Sequence, residues 1–442
     1  MNIEAETIES CPENKSDNSD ENRSWFVIFL MSLFFLSFLS PQISYWGRGL
    51  KLSIPVFCYL TMIVLLNRKQ QVIQIISMNK KYFFSGMVFV FSGFVRYMAH
   101  SVSSIRHNFV IACFFCIFLW FVINLLIIQS RKTIQTIRWL CFIVITISVG
   151  ISIPLLIEQP GIARLTMGNP FASKYIARYF PKGIANYSIY TAIAMSWPVI
   201  ANWLLNYNYK RILNKWVAWA FLCILSTVVI LSTFTMALFM MITGIILWLI
   251  IVIFKGKKNS SILSFVIILI LLFYYPRIYK VAIAEDPTQF SVSKATRLFN
   301  RSLTHGFIEG DETGRVRRIM NTLPTIWNHP FFGAWGLDRR MFIGFHSSWT
   351  DFLALFGISG LFLWLYYLSP SLKRGKEWNS ISKGIAGGSI SWFLVLIGGF
   401  LNPTLNRPIL FLMIWIFDEK YFLNQSTEKL FSESSSDLGS FQ

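Results

Sequence analysis

The sequence is poor in charge and in cysteine. The low charge argues against a soluble globular protein, and the few cysteines argue against a cysteine-based metal or redox site. Only 14% of its 442 residues are charged, whereas 54% are hydrophobic and 17% aromatic, which is too apolar for a soluble globular chain. Five of the six cysteines lie inside long apolar runs. No further Cys or His stands near Cys113 and Cys116, so this pair is predicted to pack rather than to bind metal or react. A secretory cleavage pattern is also lacking, so the first apolar run is predicted to be a retained helix.

What the chain has instead is a series of apolar runs near the ~17 to 25 residues that a membrane-spanning helix needs. We count about twelve, with the run 214–254 divided at Ser232 and Thr233. The predicted spans are 25–45, 50–66, 82–99, 107–128, 137–157, 184–206, 214–232, 234–254, 261–276, 347–368, 384–402 and 405–423. The predicted fold class is therefore an all-α polytopic membrane domain, 25–423, with its largest loop between helices 9 and 10.

Basic residues occupy every second short connection, which predicts that those connections are cytoplasmic. They are Arg68, Lys69, Lys80 and Lys81, then Arg131, Lys132 and Arg138, then Lys210, Arg211 and Lys215, then Lys255, Lys257 and Lys258, then Lys373, Arg374, Lys376 and Lys383. An even helix count puts both termini on the same side, where the polar stretches 1–24 and 424–442 are predicted to be disordered tails. The net charge of +19 is largely this topological signal and does not argue for nucleic acid.

Two long connections on the predicted outer side, 158–183 and 277–346, are the expected place for function. The first holds four basic residues, Arg164, Lys174, Arg178 and Lys182, against one acid, Glu158, and the second holds ten basic residues against six acids. Outer loops this basic run against the positive-inside tendency, so a partner on that side is expected to use the charge. The alternative is a solvated surface, since long loops cross a membrane largely regardless of charge.

Residues 311–328 have the apolar periodicity of an amphipathic helix. Asp311 or Thr313 can cap its start, and its apolar stripe can lie at a membrane boundary. Arg315 and Arg318 lie one turn apart on the other side, and two guanidinium groups so placed can bind the oxygens of a diphosphate in bidentate geometry. Anchoring to lipid headgroups by a basic interfacial helix is the alternative.

A turn-rich passage follows this helix. It reads His-Pro-Phe-Phe-Gly-Ala-Trp-Gly, and the sequence Gly-Phe-His-Ser-Ser-Trp-Thr-Asp then leads into an apolar run with Gly357 and Gly360. In order, spacing and predicted side, these elements resemble the outer loop and following helix of the O-antigen ligase and O-antigen polymerase superfamily. Residues 314–368 carry the resemblance, about an eighth of the chain, within a similar region of about 184–368.

The resemblance implies a GT-C-like enzyme of the bacterial inner membrane that joins a glycan from an undecaprenyl diphosphate donor to an acceptor on the outer side. The acceptor is another lipid-linked repeat in a polymerase, towards which we lean, or a lipid A core sugar in a ligase. Family members hold the diphosphate with loop arginines and place a loop histidine near the acceptor hydroxyl, and the matching residues of this sequence are Arg315, Arg318 and the base His346. Neither metal nor other cofactor is implied, because arginine offsets charge on the leaving diphosphate. Membrane lipids and a chain-length regulator are further implied partners.

One arginine of the family pattern is missing. Family members often carry it beside a Ser at the outer start of a mid-chain helix, but that passage of this sequence reads Leu-Ser-Thr-Phe-Thr at 231–235. Either Arg164 or Arg178 of the first outer loop replaces it, or the donor is held differently.

Asp351 lies about one turn inside the span after His346, where an ionisable side chain is costly and usually faces a cavity or a partner. It can orient His346 or pair with an arginine, so a catalytic role and a structural ion pair both stay open. Asn186 and Tyr187, at the outer mouth of the sixth span, either line the acceptor groove or, more simply, cap the helix.

The main alternative from another class is a transporter or flippase for polysaccharide or lipid-linked oligosaccharide, since twelve spans are a common transporter plan. Transporters usually show broken helices or ionisable residues near mid-bilayer and two related halves. The sequence shows neither clearly, and the loop 277–346 has no counterpart six helices away. A non-enzymatic regulator of chain length is disfavoured as well, because the heptad pattern of a coiled-coil outer domain is absent.

The alternating basic loops predict that a tag at position 290 is reachable from outside the inner membrane, whereas tags at 75 and 378 are not. Labelling of single introduced cysteines with a membrane-impermeant reagent, before and after permeabilisation, measures this. Labelling at 290 only after permeabilisation would show that the predicted orientation is inverted.

Overall fold

The computed structural model describes part of the chain, and within that part all regular structure is helical, as predicted. The described residues are 18–46, 73, 77, 80–95, 104–127, 131–159, 162–165, 172–206, 212–232, 234–254, 315–334, 347–373, 387–402, 404–405 and 407–418. The predicted spans 50–66 and 261–276 and most of the loop 277–346 lie outside them.

The helices are numbered in chain order. They are α1 Asn18–Leu39, α2 Pro41–Trp46, α3 80–95, α4 Ser104–Ile127, α5 Arg131–Gly150, α6 Ile153–Glu158, α7 Ile162–Leu165, α8 Ala172–Tyr179, a 3-10 turn Phe180–Lys182, α9 Tyr187–Asn206, α10 Ile212–Leu231, α11 Thr235–Phe254, α12 Arg315–Asn328, α13 Ser348–Lys373, α14 Gly387–Leu401 and α15 Pro408–Phe417.

Some predicted boundaries are confirmed and others differ. The predicted division of the run 214–254 is confirmed, because α10 ends at Leu231 and α11 begins at Thr235. In contrast, α1 begins at Asn18, inside the stretch that we predicted to be a disordered tail. The loop 158–183 contains the short helices α7 and α8, so it is more ordered than a plain loop.

Two helical stretches of the described chain are long and apolar enough to cross a membrane. They are Lys132–Glu158, with a mean hydropathy of 2.7, and Ser348–Ser371, with 1.8. Shorter apolar helices of 10–17 residues accompany them: Ile28–Leu39, Val110–Asn124, Trp216–Leu231, Met236–Ile251, Gly387–Phe400 and Pro408–Phe417. An all-helical chain of this kind is compatible with a membrane protein, and the count of about twelve spans stays a prediction.

The central helix is α9, which packs against α10, α11, α14 and α15. Its apolar residues are buried around most of its circumference, as expected of a helix that is enclosed on all sides. Near its end the fully buried Trp203 packs against Phe417 of α15, with ring centroids 5.1 Å apart. Cys113 and Cys116 of α4 are fully buried in the same core, in agreement with the predicted packing role.

Arg138 defines one end of the bundle. We counted it with a basic connection, but it lies inside α5 and is 1% exposed, so that interpretation is corrected. Its Nε donates to the carbonyl of Ile416 at 2.7 Å, and its Nη2 donates to that of Asp418 at 3.2 Å. A cation at the carbonyl end of a helix satisfies groups that lack an intrahelical partner and complements the helix dipole, so Arg138 fixes the end of α15.

The opposite end, which we call the site end, gathers helix termini that the basic-loop pattern assigns to the outer side. Ser40 after α1 hydrogen-bonds to Ser148 at the end of α5, with the two hydroxyl oxygens 2.9 Å apart. The backbone N–H of Leu405, before α15, donates to the hydroxyl of Ser348 at the start of α13 at 3.0 Å. These contacts join the end of α1 to the end of α5, and the start of α13 to the start of α15.

Candidate functional site

Helix α13 is broken at Gly357, which has φ 68° and ψ −170°. Only glycine adopts this conformation readily. The break bends the helix sharply, because the rings of Phe352 and Trp364 stack with centroids 5.7 Å apart although a straight helix would separate these residues by about 18 Å. Because of this bend, Ser348 and Trp364 both reach Leu405: its N–H donates to the Ser348 hydroxyl, and its carbonyl accepts from the Trp364 ring N–H.

The turn after α12 supplies the hydrogen bonds that the break removes. The carbonyls of Pro330 and Phe331 accept from the backbone N–H groups of Ile358, at 2.8 Å, and Ser359, at 3.1 Å. The Ser359 hydroxyl also donates to the Phe331 carbonyl at 2.7 Å. Each segment satisfies backbone groups of the other, so the two segments stabilise each other.

Two facing glycines allow this close approach. A Cβ at Gly357 would collide with the backbone of Phe331, and a Cβ at Gly333 would collide with the backbone of Leu355 and Phe356. The N–H of Ala334 donates to a carbonyl of α13 at 2.7 Å and closes the contact on this side. The Pro-Phe-Phe-Gly turn and the first glycine of the Gly-x-x-Gly pattern, which are separate elements of the sequence resemblance, are thus in direct contact. We call this contact the turn–break junction, residues 330–334 with 354–359.

The start of α13 is bound to the end of α14. The Ser347 hydroxyl donates to the carbonyl of Gly399 at 3.2 Å, and the Trp349 ring N–H donates to that of Leu396 at 2.9 Å. Asp351 lies one turn after Ser347, and its side chain is fully buried. Residues three and four apart share a helix face, so Asp351 lies on the side of α13 that is turned towards α14. His346 immediately precedes this segment and lies outside the described residues.

Helix α12 forms over Arg315–Asn328, which confirms the predicted amphipathic helix over these residues, whereas residues 311–314 lie outside the described residues. Its polar side is turned inward: Thr322 and Thr325 are buried against the bundle. Its apolar side is exposed, with Trp327 at 85%. Arg318 is exposed one turn before Thr322, on the same side, and the Thr322 hydroxyl donates to its carbonyl at 2.8 Å.

Arg407 is a residue that the sequence analysis missed. It lies directly before α15, and its Nη1 donates to the hydroxyl of Ser188 at the start of α9 at 3.1 Å. Tyr187, the residue before Ser188, packs edge-on against Phe234, with ring centroids 5.1 Å apart. Phe234 belongs to the passage 231–235 where the family arginine is missing. The signal that could have found Arg407 is a lone guanidinium inside the apolar run 405–423.

The two arginines proposed to replace the missing one lie elsewhere at this end. Arg178 is exposed on α8, and its guanidinium carbon lies 5.5 Å from the ring centroid of Tyr179. Arg164 lies in α7. Asn186 caps α9, because its Oδ1 accepts from the N–H of Ile189 at 3.1 Å, and this favours the simpler of its two predicted roles.

The candidate site is therefore a set of polar residues at the site end, which we call the polar cluster. Thr191, Asp351 and Asn402 are buried, and Ser188 and Arg407 are half-buried. Three segments contribute to it: the start of α9, the start of α13, and residues 402–407 between α14 and α15. Among the described residues, no group of three or more His, Cys, Asp or Glu side chains is placed to hold a metal ion. The sequence matches no protein-family model, and it matches no curated protein.

Gly357→Ala is expected to disrupt the turn–break junction, because the methyl group meets the backbone of Phe331 and the conformation itself costs about 1–3 kcal/mol for a residue with a side chain. Thermal unfolding of the purified protein should shift to lower temperature. Amide hydrogen exchange at Ile358 and Ser359 should accelerate. Gly150→Ala is the control, since its Cβ meets a single side-chain carbon at 3.0 Å within a regular helix. Unchanged exchange at both amides in Gly357→Ala would contradict the junction.

Proposed function

We propose that the chain is a glycosyltransferase of the bacterial inner membrane that joins a glycan from undecaprenyl diphosphate to an acceptor glycan on the outer side, as an O-antigen polymerase or ligase does. The observation that supports this best is the turn–break junction. It holds α12, which carries Arg315 and Arg318, against α13, whose start carries Asp351 and directly follows His346. The residues proposed to bind the donor, on α12, and those proposed to activate the acceptor, at the start of α13, are thereby connected through the turn–break junction.

The orientation of α12 supports a place at a membrane surface. The exposed Trp327 of α12 and the exposed Phe331 and Phe332 of the following turn continue into the exposed Ile358 and Phe362 of α13. A helix whose polar side packs inward while its aromatic side is exposed is stabilised when lipid covers the aromatic side. In this arrangement Arg318 reaches the level of lipid headgroups, where a lipid diphosphate is presented.

The proposed reaction needs three events at the site. The acceptor hydroxyl oxygen attacks the anomeric carbon of the donor sugar, and the bond from that carbon to the diphosphate oxygen breaks. The diphosphate leaves with the bonding electron pair, while the acceptor proton passes to His346. Guanidinium groups offset the charge that develops on the leaving diphosphate, and a buried carboxylate at Asp351 is suited to orient the imidazole.

A transporter or flippase is the second candidate, and the break in α13 favours it. The sequence shows no clear broken helix, and this absence weighed against a transporter. In the structure Gly357 interrupts α13, which removes that objection. Broken helices form substrate sites in many transporters. The two candidates differ in their product, since a transferase forms a new glycosidic bond and a flippase only moves the donor between leaflets.

Purified protein in liposomes, with a defined undecaprenyl-diphosphate-linked glycan and acceptor, distinguishes the two. We expect longer or transferred glycans together with released undecaprenyl diphosphate. Movement of unchanged donor across the bilayer, without released diphosphate, would instead establish the flippase. In cells, loss of the gene should leave core plus one repeat if the protein is a polymerase, and bare core with accumulated lipid-linked polymer if it is a ligase.

Arg315→Lys and Arg318→Lys should each keep the protein level and lose most transfer activity, because lysine retains the charge and loses the bidentate geometry. Arg317→Lys is the matched control, since Arg317 is exposed on a different side of α12. Initial rates in the liposome assay measure the effect. If the Arg315 and Arg318 variants both work like wild type, α12 is a membrane anchor and the diphosphate is bound elsewhere.

His346→Ala should leave folding and donor binding intact and reduce transfer by roughly 10² to 10⁴-fold, the usual effect of removing a positioned acid–base group. Wild-type activity should fall as pH drops through the imidazole range, because the base must be neutral, and a carboxylate near it would move that fall towards neutral pH. His329→Ala is the control. Near-normal turnover by His346→Ala would remove histidine from the mechanism and make Asp351 the next candidate base.

A further inference from the structure

Asn402, Leu405 and Arg407, between α14 and α15, lie below the start of α9. α15 has 10 residues and is therefore about 15 Å long, roughly half the ~30 Å of a hydrocarbon core. Its last residue packs against Trp203 near the end of the 20-residue α9, so its first turn lies short of the start of α9. Non-helical backbone at that depth is tolerated where it is buried in protein or lines a cavity.

The contacts of two glycines establish how α14 and α9 are aligned. A Cβ at Gly244 would touch Leu394 and Pro198, and a Cβ at Gly398 would touch Met195. Leu394 therefore lies level with Pro198, and Gly398 lies level with Met195, one turn nearer the site end. We call each such pair of facing residues on the antiparallel helices α14 and α9 a layer.

One further turn towards the site end brings Asn402 after α14 opposite Thr191 of α9. The N–H of Asn402 still donates to the carbonyl of Gly398 at 2.9 Å, so the helical register continues to that residue. Ser188, which accepts from Arg407, lies one turn beyond Thr191. Asn402 and Thr191 therefore share one layer between α9 and α14, and the Arg407 guanidinium lies in the next layer, beside Ser188.

Two polar atoms in the layer of Asn402 and Thr191 are left without a hydrogen-bond partner among the described residues. They are Nδ2 of Asn402, a residue that is 5% exposed, and Oγ1 of Thr191, which is 4% exposed. An unsatisfied buried polar group costs about 1–3 kcal/mol, and such groups are rare in folded proteins unless a ligand or water completes them. Both can donate a hydrogen bond, as can a guanidinium.

We propose that Arg407, Asn402 and Thr191 form a recessed binding site for the diphosphate of the lipid-linked donor. The inference rests on the proposed function and names a further donor-binding residue for it. The clustering of an amide, a hydroxyl and a guanidinium fits the oxygens of a diphosphate, since charge-assisted hydrogen bonds are the strong ones. The bond from Arg407 to Ser188 holds this guanidinium at the start of α9, one turn from Thr191.

The test measures binding separately from transfer. Purified full-length protein in detergent is titrated with undecaprenyl diphosphate, and the increase in thermal unfolding temperature gives the affinity. Arg407→Gln and Thr191→Val should each weaken this binding about tenfold or more, as expected for hydrogen bonds to a charged group. Undecaprenol, which lacks the diphosphate, should not stabilise the wild type, and vesicles of anionic phosphatidylglycerol should not compete.

Two controls separate a binding role from a structural one. Thr146→Val removes a buried hydroxyl of α5 that already donates to a helix carbonyl at 2.7 Å, and should leave diphosphate affinity unchanged. Arg317→Gln removes an exposed positive charge and should also leave the affinity unchanged. Thr191→Val should be no less stable than wild type without ligand, because it removes a polar atom that has no described partner.

The inference is overturned if Arg407→Gln and Thr191→Val bind undecaprenyl diphosphate like wild type, whatever the transfer assay gives. It is also overturned if phosphatidylglycerol competes at equal concentration, since the site would then hold a lipid headgroup. Loss of binding in both variants, in a protein that forms no glycosidic bond, would keep the diphosphate site and remove the transferase.

Discussion

A helix inside an apolar bundle can be interrupted only if another segment takes over the hydrogen bonds that the interruption removes, and the site depends on this constraint. The carbonyls of Pro330 and Phe331 meet it at the break in α13. The break allows the start of α13 to lie across residues 396–405 rather than to continue as a straight helix. Asp351 is buried beside α14 as a result, and α12 is fixed against the bundle by the same contacts.

Parts of this architecture could be predicted from the sequence because they depend on local patterns. The periodicity of residues 311–328 predicted α12, and the polar pair after Leu231 predicted the division between α10 and α11. The sequence did not predict which side of α12 faces the protein, because an apolar stripe can be covered either by lipid or by protein. In the structure Thr322 and Thr325 are buried, so the polar side faces the protein.

Other parts could not be predicted because they depend on contacts between distant segments. A glycine in an apolar run, such as Gly357, has the same local sequence whether the helix continues or breaks, and the difference lies in what residues 330–334 do. Arg407 was hidden for a related reason: the run 405–423 is long enough for a whole span, whereas the helix within its described residues starts at Pro408 and ends at Phe417. Because α15 is short, Arg407 lies below the start of α9.

The position of Arg407 is in turn determined from the far side of the protein. The bonds from Arg138 to the carbonyls of Ile416 and Asp418 fix the end of α15. Because α15 is short and stiff, they also fix the position of its first turn. A disturbance at Arg138 would shift or tilt α15 and so displace the Arg407 guanidinium, although the two arginines lie at opposite ends of that helix. Mechanical coupling of this kind makes the two ends of the bundle interdependent.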